Sequence, residues 1–203
     1  LEPVVGALVE QGAEVSVDTT KPAVMQRALE LGATWLNDVN GFRDPAALAV
    51  AGAAPPGTRF VVMFSRSSGP RAERAARSAE GLLEELRAFF TERRRTFEAV
   101  GVSADRLVLD PGMGFFLGRD ALPSLTVLKH LPELTSAFGP LLVSVSRKSF
   151  LGEVTDSAVT QRGPATLAAE LWAARHGAAW LRTHDARALC DALKVENAIA
   201  NAP

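Results

Sequence analysis

The 203-residue sequence has one cysteine, only four lysines among 22 basic residues, and almost no net charge. Each shortage excludes something. A lone Cys190 closes no internal disulfide and supplies no cysteine cluster for a metal, so a reducing, cytoplasmic setting is expected. No apolar run approaches the roughly 18 to 20 residues of a membrane span, and no charged-then-apolar leader is read, so no membrane association is expected. A formal charge of -1 speaks against a dedicated nucleic-acid binder. Absent too are a Gly-x-Gly-x-x-Gly fingerprint and a phosphate-binding P-loop, which weakens dinucleotide and nucleotide readings. No His-x-x-x-His pair or carboxylate cluster suggests a protein-held metal, and no serine nucleophile elbow occurs. With lysine this scarce, Lys21, Lys129, Lys148 and Lys194 each become worth weighing. What the chain does have is apolar material: 47% hydrophobic and 22% charged residues suit one sizeable core and exclude a disordered chain.

One unit repeats. A short apolar run ends in a polar residue, and a loop and a helical stretch follow. Six such runs occur: Val15–Val17 ending at Asp18; Trp35-Leu36 ending at Asn37 and Asp38; Phe60–Met63 ending near Ser65; Leu107–Leu109 ending at Asp110; Leu141–Val143 running to Ser146; and Ala179–Leu181 running to Arg182 and His184. Apolar runs without alternation predict strands buried on both faces. The 3.6-residue period predicts helices over Pro22–Leu31, Glu80–Val100, Thr166–Arg175 and Ala186–Ala200, and Leu1–Glu10 reads as the tail of another. On Glu80–Val100 the apolar stripe is Leu82, Leu83, Leu86, Phe89, Phe90 and Phe97, with Arg93, Arg94 and Arg95 partly opposite. Gly12-Ala13, Gly32-Ala33 and Gly177-Ala178 each mark a helix end leading into a strand. Ser65–Gly69 and the Gly-rich Gly112–Pro123 read as loops. Arg66, Arg71, Arg74 and Arg77 read as solvated surface. Strand-helix alternation of this kind predicts a parallel α/β fold, and with no linker in view residues 1–203 read as a single domain.

In parallel α/β folds the site lies at the carboxyl ends of the strands. Asp18, Asn37, Asp38, Asp110, Ser146, Lys148, Arg182 and His184 all fall there. Any one of them has an ordinary explanation as a helix cap, turn former or solvated charge. The coincidence of all of them is the signal. Asp110 and Asn37 offer the paired acceptors and donors that suit a flat heterocycle. Arg147, Lys148, Arg182 and His184 offer positive charge suited to a departing diphosphate.

Five motifs then resemble, in order and spacing, the strand-end motifs of the dihydropteroate synthase family. They are Ser16-Val17-Asp18-Thr19-Thr20-Lys21, Leu36-Asn37-Asp38-Val39-Asn40-Gly41, Leu109-Asp110-Pro111-Gly112-Met113-Gly114-Phe115, Ser146-Arg147-Lys148-Ser149-Phe150-Leu151-Gly152 and Leu181-Arg182-Thr183-His184-Asp185. The resemblance runs from about residue 14 to about residue 197. It implies a TIM (β/α)8-type barrel of which strands three to eight are evident here. It also implies a transferase of folate biosynthesis, a sulfonamide target, that condenses 6-hydroxymethyl-7,8-dihydropterin diphosphate with 4-aminobenzoate. The roles it carries over make Asp18, Asn37 and Asp110 hydrogen-bonding partners of the pterin. Met63 packs on that ring and Arg182 stacks over it. Lys148 bonds the pterin near the reacting centre, Arg182 and His184 bind the diphosphate, and Phe115 and Ser149 line the aminobenzoate side. Lys148, Asp110 and Arg182 are the expected catalytic groups. Magnesium is the implied cofactor, although its usual protein ligand does not occur in this sequence. Homodimerisation through the helices Thr166–Arg175 and Ala186–Ala200 is implied as well.

Departures from the family pattern are local. Where Met-His-Met is usual the chain reads Met63-Phe64-Ser65; after Phe115 a Gly-Lys pair is replaced by Phe116-Leu117; before Ser146 stand Ser144-Val145. The family's first two strand-end loops do not occur, so the expectation is an N-terminally incomplete barrel, short of the ~250 residues a whole one takes. The competing expectations are the pterin-binding domain of a corrinoid-dependent methyltransferase and a noncatalytic paralogue of the synthase. The Ser-Arg-Lys-Ser motif, with Arg182 and His184, favours the synthase over the methyltransferase domain.

Overall fold

The computed structural model describes residues 1–66 and 79–202, the side chains of residues 79 and 80 excepted. Of the basic stretch, Arg71, Arg74 and Arg77 lie outside the described residues, as does the end of the Ser65–Gly69 loop. The chain divides into two compact units. Among the described residues the first holds 1–66 and 84–110, and the second holds 79–83 and 111–202.

The first unit runs α1 (Glu2–Glu10), β1 (Ser16–Asp18), α2 (Pro22–Glu30), β2 (Trp35–Asp38), α3 (Pro45–Ala53), β3 (Arg59–Met63), α4 (Ala79–Ala99, all but its first turn) and β4 (Leu107–Asp110). The four strands pair in chain order and in parallel. Val17 lies beside Leu36, Asp18 beside Asn37, and Met63 beside Asp110. In β3 and β4 consecutive residues from Phe60 to Met63 and from Leu107 to Asp110 are all buried. Burial on both faces is what the unalternating apolar runs require. Phe42, Phe60 and Phe97 form the aromatic centre of this core, with ring centroids 5.2–5.7 Å apart. The turns between helix and strand follow the Gly-Ala pairs. At the end of α2 the Gly32 N–H donates to the Leu29 carbonyl and the Ala33 N–H to the Ala28 carbonyl, each at 2.9 Å. This double return needs a left-handed residue, and Gly32 sits at φ +91.

One helix goes beyond those the apolar period marks, and one expectation is corrected. α3 carries alanine on every face and so shows no apolar stripe in the sequence, yet it forms, capped by the Asp44 side chain on the Ala46 N–H. Arg93 is not opposite the apolar stripe. It is 8% exposed, because it lies four residues from both Phe89 and Phe97 and so shares their face.

The second unit contains α5 (Leu122–Lys129), α6 (Leu131–Phe138), β5 (Leu141–Val143), α7 (Ser149–Thr155), α8 (Gly163–Arg175), β6 (Ala178–Leu181) and α9 (Ala186–Ala200). β5 and β6 are parallel neighbours. The segment read as a loop from Gly112 holds a single 3-10 turn, Gly114–Phe116, and gives way to α5 one residue before Pro123. A proline in the first turn of a helix costs no hydrogen bond, which is why Pro123 starts α5 and does not prolong the loop. α8 begins three residues earlier than its apolar period predicts, again with a proline, Pro164, in its first turn. The Trp172 indole donates to the Leu128 carbonyl at 3.1 Å and fastens α8 to α5.

Phe97→Ala removes a fully buried ring from contact with two others. It is expected to lower stability by about 3–5 kcal/mol, read as a reduced urea midpoint at unchanged slope.

Candidate active site

All nine residues expected at the site stand at the carboxyl ends of strands or in the segments that follow them, Ser149 as the first residue of α7. Asp18, Asn37, Met63 and Asp110 belong to the first unit; Phe115, Lys148, Ser149, Arg182 and His184 belong to the second.

In the first unit the register sets Asp18 beside Asn37, and the Asn37 amide Nδ2 donates to the Asp18 carboxylate at 3.2 Å. The other end of that amide, Oδ1, is buried with no hydrogen-bond partner among the described residues. An acceptor left in this state costs about 1–3 kcal/mol, a cost that a ligand N–H would remove. Met63 and Asp110 are register partners, both buried, and the Phe64 N–H donates to the Asp110 carbonyl at 2.8 Å. Phe64 is buried and packs edge-on against Phe89 at 5.4 Å between centroids. Where the family usually places a histidine, this chain places an apolar filler.

Asp38 differs from its neighbour Asn37. Its carboxylate turns back into its own loop and accepts the Asn40 N–H and the Phe42 N–H, both at 2.8 Å. Burial pushes this carboxyl above the ordinary aspartate range, and the two N–H donors partly oppose the shift. From the other side Arg93 Nη1 donates to the Phe42 carbonyl at 2.9 Å. Gly41 allows the tight approach: a Cβ there, at φ +65, would stand 2.8 Å from the Met63 carbonyl oxygen and 2.5 Å from the Phe89 ring. Neither Arg93 nor the inward turn of Asp38 is foreseen among the site's supports. The spacing of Arg93 from Phe89 and Phe97 was the available signal.

In the second unit Lys148 Nζ donates to the Met113 carbonyl at 3.3 Å and lies 4.9 Å from the Phe116 ring centroid. Phe116 stands where the family usually has glycine, and here it seats the lysine by a cation–π contact. Phe115 beside it is 73% exposed. Ser149 opens α7, with Lys148 as the residue that caps it. Ser146 is buried, and its hydroxyl meets both the His184 backbone N–H (3.2 Å) and the His184 ring Nδ1 (2.8 Å). The Arg182 N–H donates to the Val143 carbonyl at 3.1 Å, which fixes the backbone of that residue as it leaves β6. Arg66, read as solvated, is paired with Glu85 at 2.8 Å. Glu170 of α8 was not singled out by the sequence. It is 2% exposed, and burial raises its carboxyl above the ordinary glutamate range against the opposing effect of a hydrogen bond from Thr183.

Asp38→Ala strands the buried Phe42 N–H and frees the Asn40 N–H, and is expected to cost about 1–3 kcal/mol of stability, measured by urea unfolding. Backbone amide exchange at residues 40–42 should rise more than elsewhere in the chain.

Residues 1–184 match the family of pterin binding enzymes. The chain is 41% identical to the dihydropteroate synthase type-3 of Escherichia coli, over 98% of this chain and 75% of that protein. It is 46% identical to the type-1 synthase of the same organism, over 91% of this chain and 66% of that protein. A solved dihydropteroate synthase from Xanthomonas albilineans, in complex with 7,8-dihydropteroate, superposes with a TM-score of 0.86 at 36% identity, covering 100% of this chain and 75% of that one. The six strands fit strands three to eight of that family's TIM-type α/β fold. The chain thus spans about two thirds to three quarters of the length of these relatives, and it belongs to the pterin binding enzyme family as a dihydropteroate synthase.

Proposed function

We propose that this chain carries out the dihydropteroate synthase reaction of folate biosynthesis. The amine nitrogen of 4-aminobenzoate forms a bond to the hydroxymethyl carbon of 6-hydroxymethyl-7,8-dihydropterin diphosphate. The carbon–oxygen bond breaks, diphosphate departs with the electron pair, and the amine loses a proton. The observation that carries this reading is the Asn37 amide, donating to Asp18 with one end and presenting a buried, unpartnered acceptor with the other. Such an amide beside a strand-end carboxylate suits the donor-rich edge of a pterin.

The roles follow residue by residue. Asp18, Asn37 and Asp110 hydrogen-bond the ring, and Met63 packs on it. Lys148 bonds the pterin near the reacting carbon. Arg182 stacks over the ring and, with His184, takes the diphosphate; Phe115 and Ser149 face the aminobenzoate. The electron-rich pterin itself supports a cationic methylene as diphosphate leaves. The protein therefore has to orient the reactants and stabilise charge, with no general base required of it. Magnesium, the cofactor the resemblance implies, belongs with the diphosphate in this reading, because such a cation takes one or two protein ligands and completes its shell with phosphate oxygens and water; among the described residues no group of three His, Cys, Asp or Glu side chains is placed to hold a metal ion by itself.

Sulfonamides, as aminobenzoate mimics, compete at the Phe115 and Ser149 side in this reading. Among the described residues no helix is long and apolar enough to cross a membrane, and a cytoplasmic, homodimeric enzyme joined through α8 and α9 completes the proposal.

Steady-state turnover with both substrates is the test. Lys148→Ala should lower kcat by about a hundredfold or more while the fold, followed by circular dichroism, stays intact. Unchanged kcat in that variant contradicts the role of Lys148. Failure of the unsubstituted chain to form dihydropteroate contradicts the activity.

A further inference from the structure

α8 presents three polar side chains to the loops that follow β5 and β6. They stand four residues apart, at Arg162, Thr166 and Glu170, and so share one helix face. Arg162 caps the helix start, and its Nη1 donates to the Arg147 carbonyl at 3.0 Å. The Thr166 hydroxyl accepts the Arg147 N–H at 3.0 Å. Arg147 needs this grip, because it holds a left-handed backbone at φ +58 that a residue with a side chain adopts at a cost. One turn further along α8, the Glu170 carboxylate accepts a hydrogen bond from Thr183. The Thr183 hydroxyl in turn accepts the Asp185 N–H at 3.2 Å. Thr183 is thus held from two sides, and it lies between Arg182 and His184 in the chain.

Glu170 keeps this place under unfavourable conditions. It is buried, its Oε1 has no hydrogen-bond partner among the described residues, and the Asp185 carboxylate nearby repels it. A buried carboxylate with one oxygen unsatisfied costs stability, so folding alone gives no reason for a glutamate on an alanine-rich helix. We propose that Glu170 is a positioning residue for the diphosphate-binding loop 182–184: its carboxylate fixes Thr183 and through it the backbone that aims Arg182 and His184. Thr166 does the same for the loop that carries Lys148. α8 is then a single rigid rail behind both cationic loops. The inference rests on the synthase reading for its effect on turnover, but the contact itself is testable without substrate.

Three variants of the full chain serve: Glu170→Ala, Glu170→Gln and Thr183→Val. With pterin diphosphate varied, Glu170→Ala should raise its KM about tenfold and leave the KM for 4-aminobenzoate within about twofold. Glu170→Gln keeps an acceptor of the same size and should recover to within about threefold of the parent. Thr183→Val should reproduce Glu170→Ala, and the double variant should be no worse than either single change. Without ligand, amide exchange at residues 183 and 184 should quicken about tenfold in Glu170→Ala and Thr183→Val but not in Glu170→Gln. Unchanged exchange and KM in Glu170→Ala overturn the inference, and so do a Glu170→Gln as impaired as the alanine variant or additive effects in the double variant. If Glu170→Ala does not fold, Thr183→Val with Glu170→Gln decides. If the unsubstituted chain shows no turnover, the synthase reading fails, and exchange at residues 183 and 184 still decides the positioning role.

Discussion

A strand buried on both faces tolerates a polar side chain only at its ends. That constraint organises this protein. Every residue of β3 from Phe60 and of β4 from Leu107 is removed from water, so polar groups collect where the strands run out into loops, at Asp18, Asn37, Asp110 and the residues after β5 and β6. The chemistry of the family is concentrated at those ends because the apolar interior admits it nowhere else. The strand ends do not satisfy all their hydrogen bonds among themselves: Asn37 Oδ1 is buried without a partner among the described residues.

Strand ends are geometrically precise only if the loops beyond them are held. In the first unit the loop after β2 is braced by the inward carboxylate of Asp38, by Arg93 on the carbonyl of Phe42, and by the close seat of Gly41 against Met63 and Phe89. In the second unit Arg162 and Thr166 grip Arg147, and Glu170 grips Thr183. The same physical device recurs: a buried polar side chain on a helix satisfies backbone or hydroxyl groups of a strand-end loop from behind. Both supports put charge into low-dielectric surroundings, which costs stability in exchange for a fixed geometry.

Much of this was legible in the sequence, and unevenly so. The six strands were marked by apolar runs with a polar stop, and α9 by its apolar period, because burial on one or both faces dictates those patterns directly. α3 was hidden because alanine on all sides of Pro45–Ala53 leaves no stripe. α5 and α6 were hidden by their shortness and by prolines that look like loop formers but occupy first turns. Arg93 was legible in principle, since its spacing puts it on the Phe89 and Phe97 face; its charge drew attention away from its position. Glu170 was not, because an acid on an alanine-rich helix reads as surface until the loop packed against it is known. Most residues expected at the site stand in five ordered motifs, whereas the residues that hold their loops needed tertiary contacts.

The central claim is that the strand ends of the first unit are built to receive a pterin through Asn37. Isothermal titration of the full chain with a pterin analogue, against an Asn37→Leu variant of matched fold, tests it most directly. The account predicts binding by the unsubstituted chain and a loss of about a hundredfold in the variant, the scale expected when a pair of buried hydrogen bonds to ligand and neighbour is removed. A well-folded chain that binds no pterin, or an Asn37→Leu variant that binds it equally well, would contradict it.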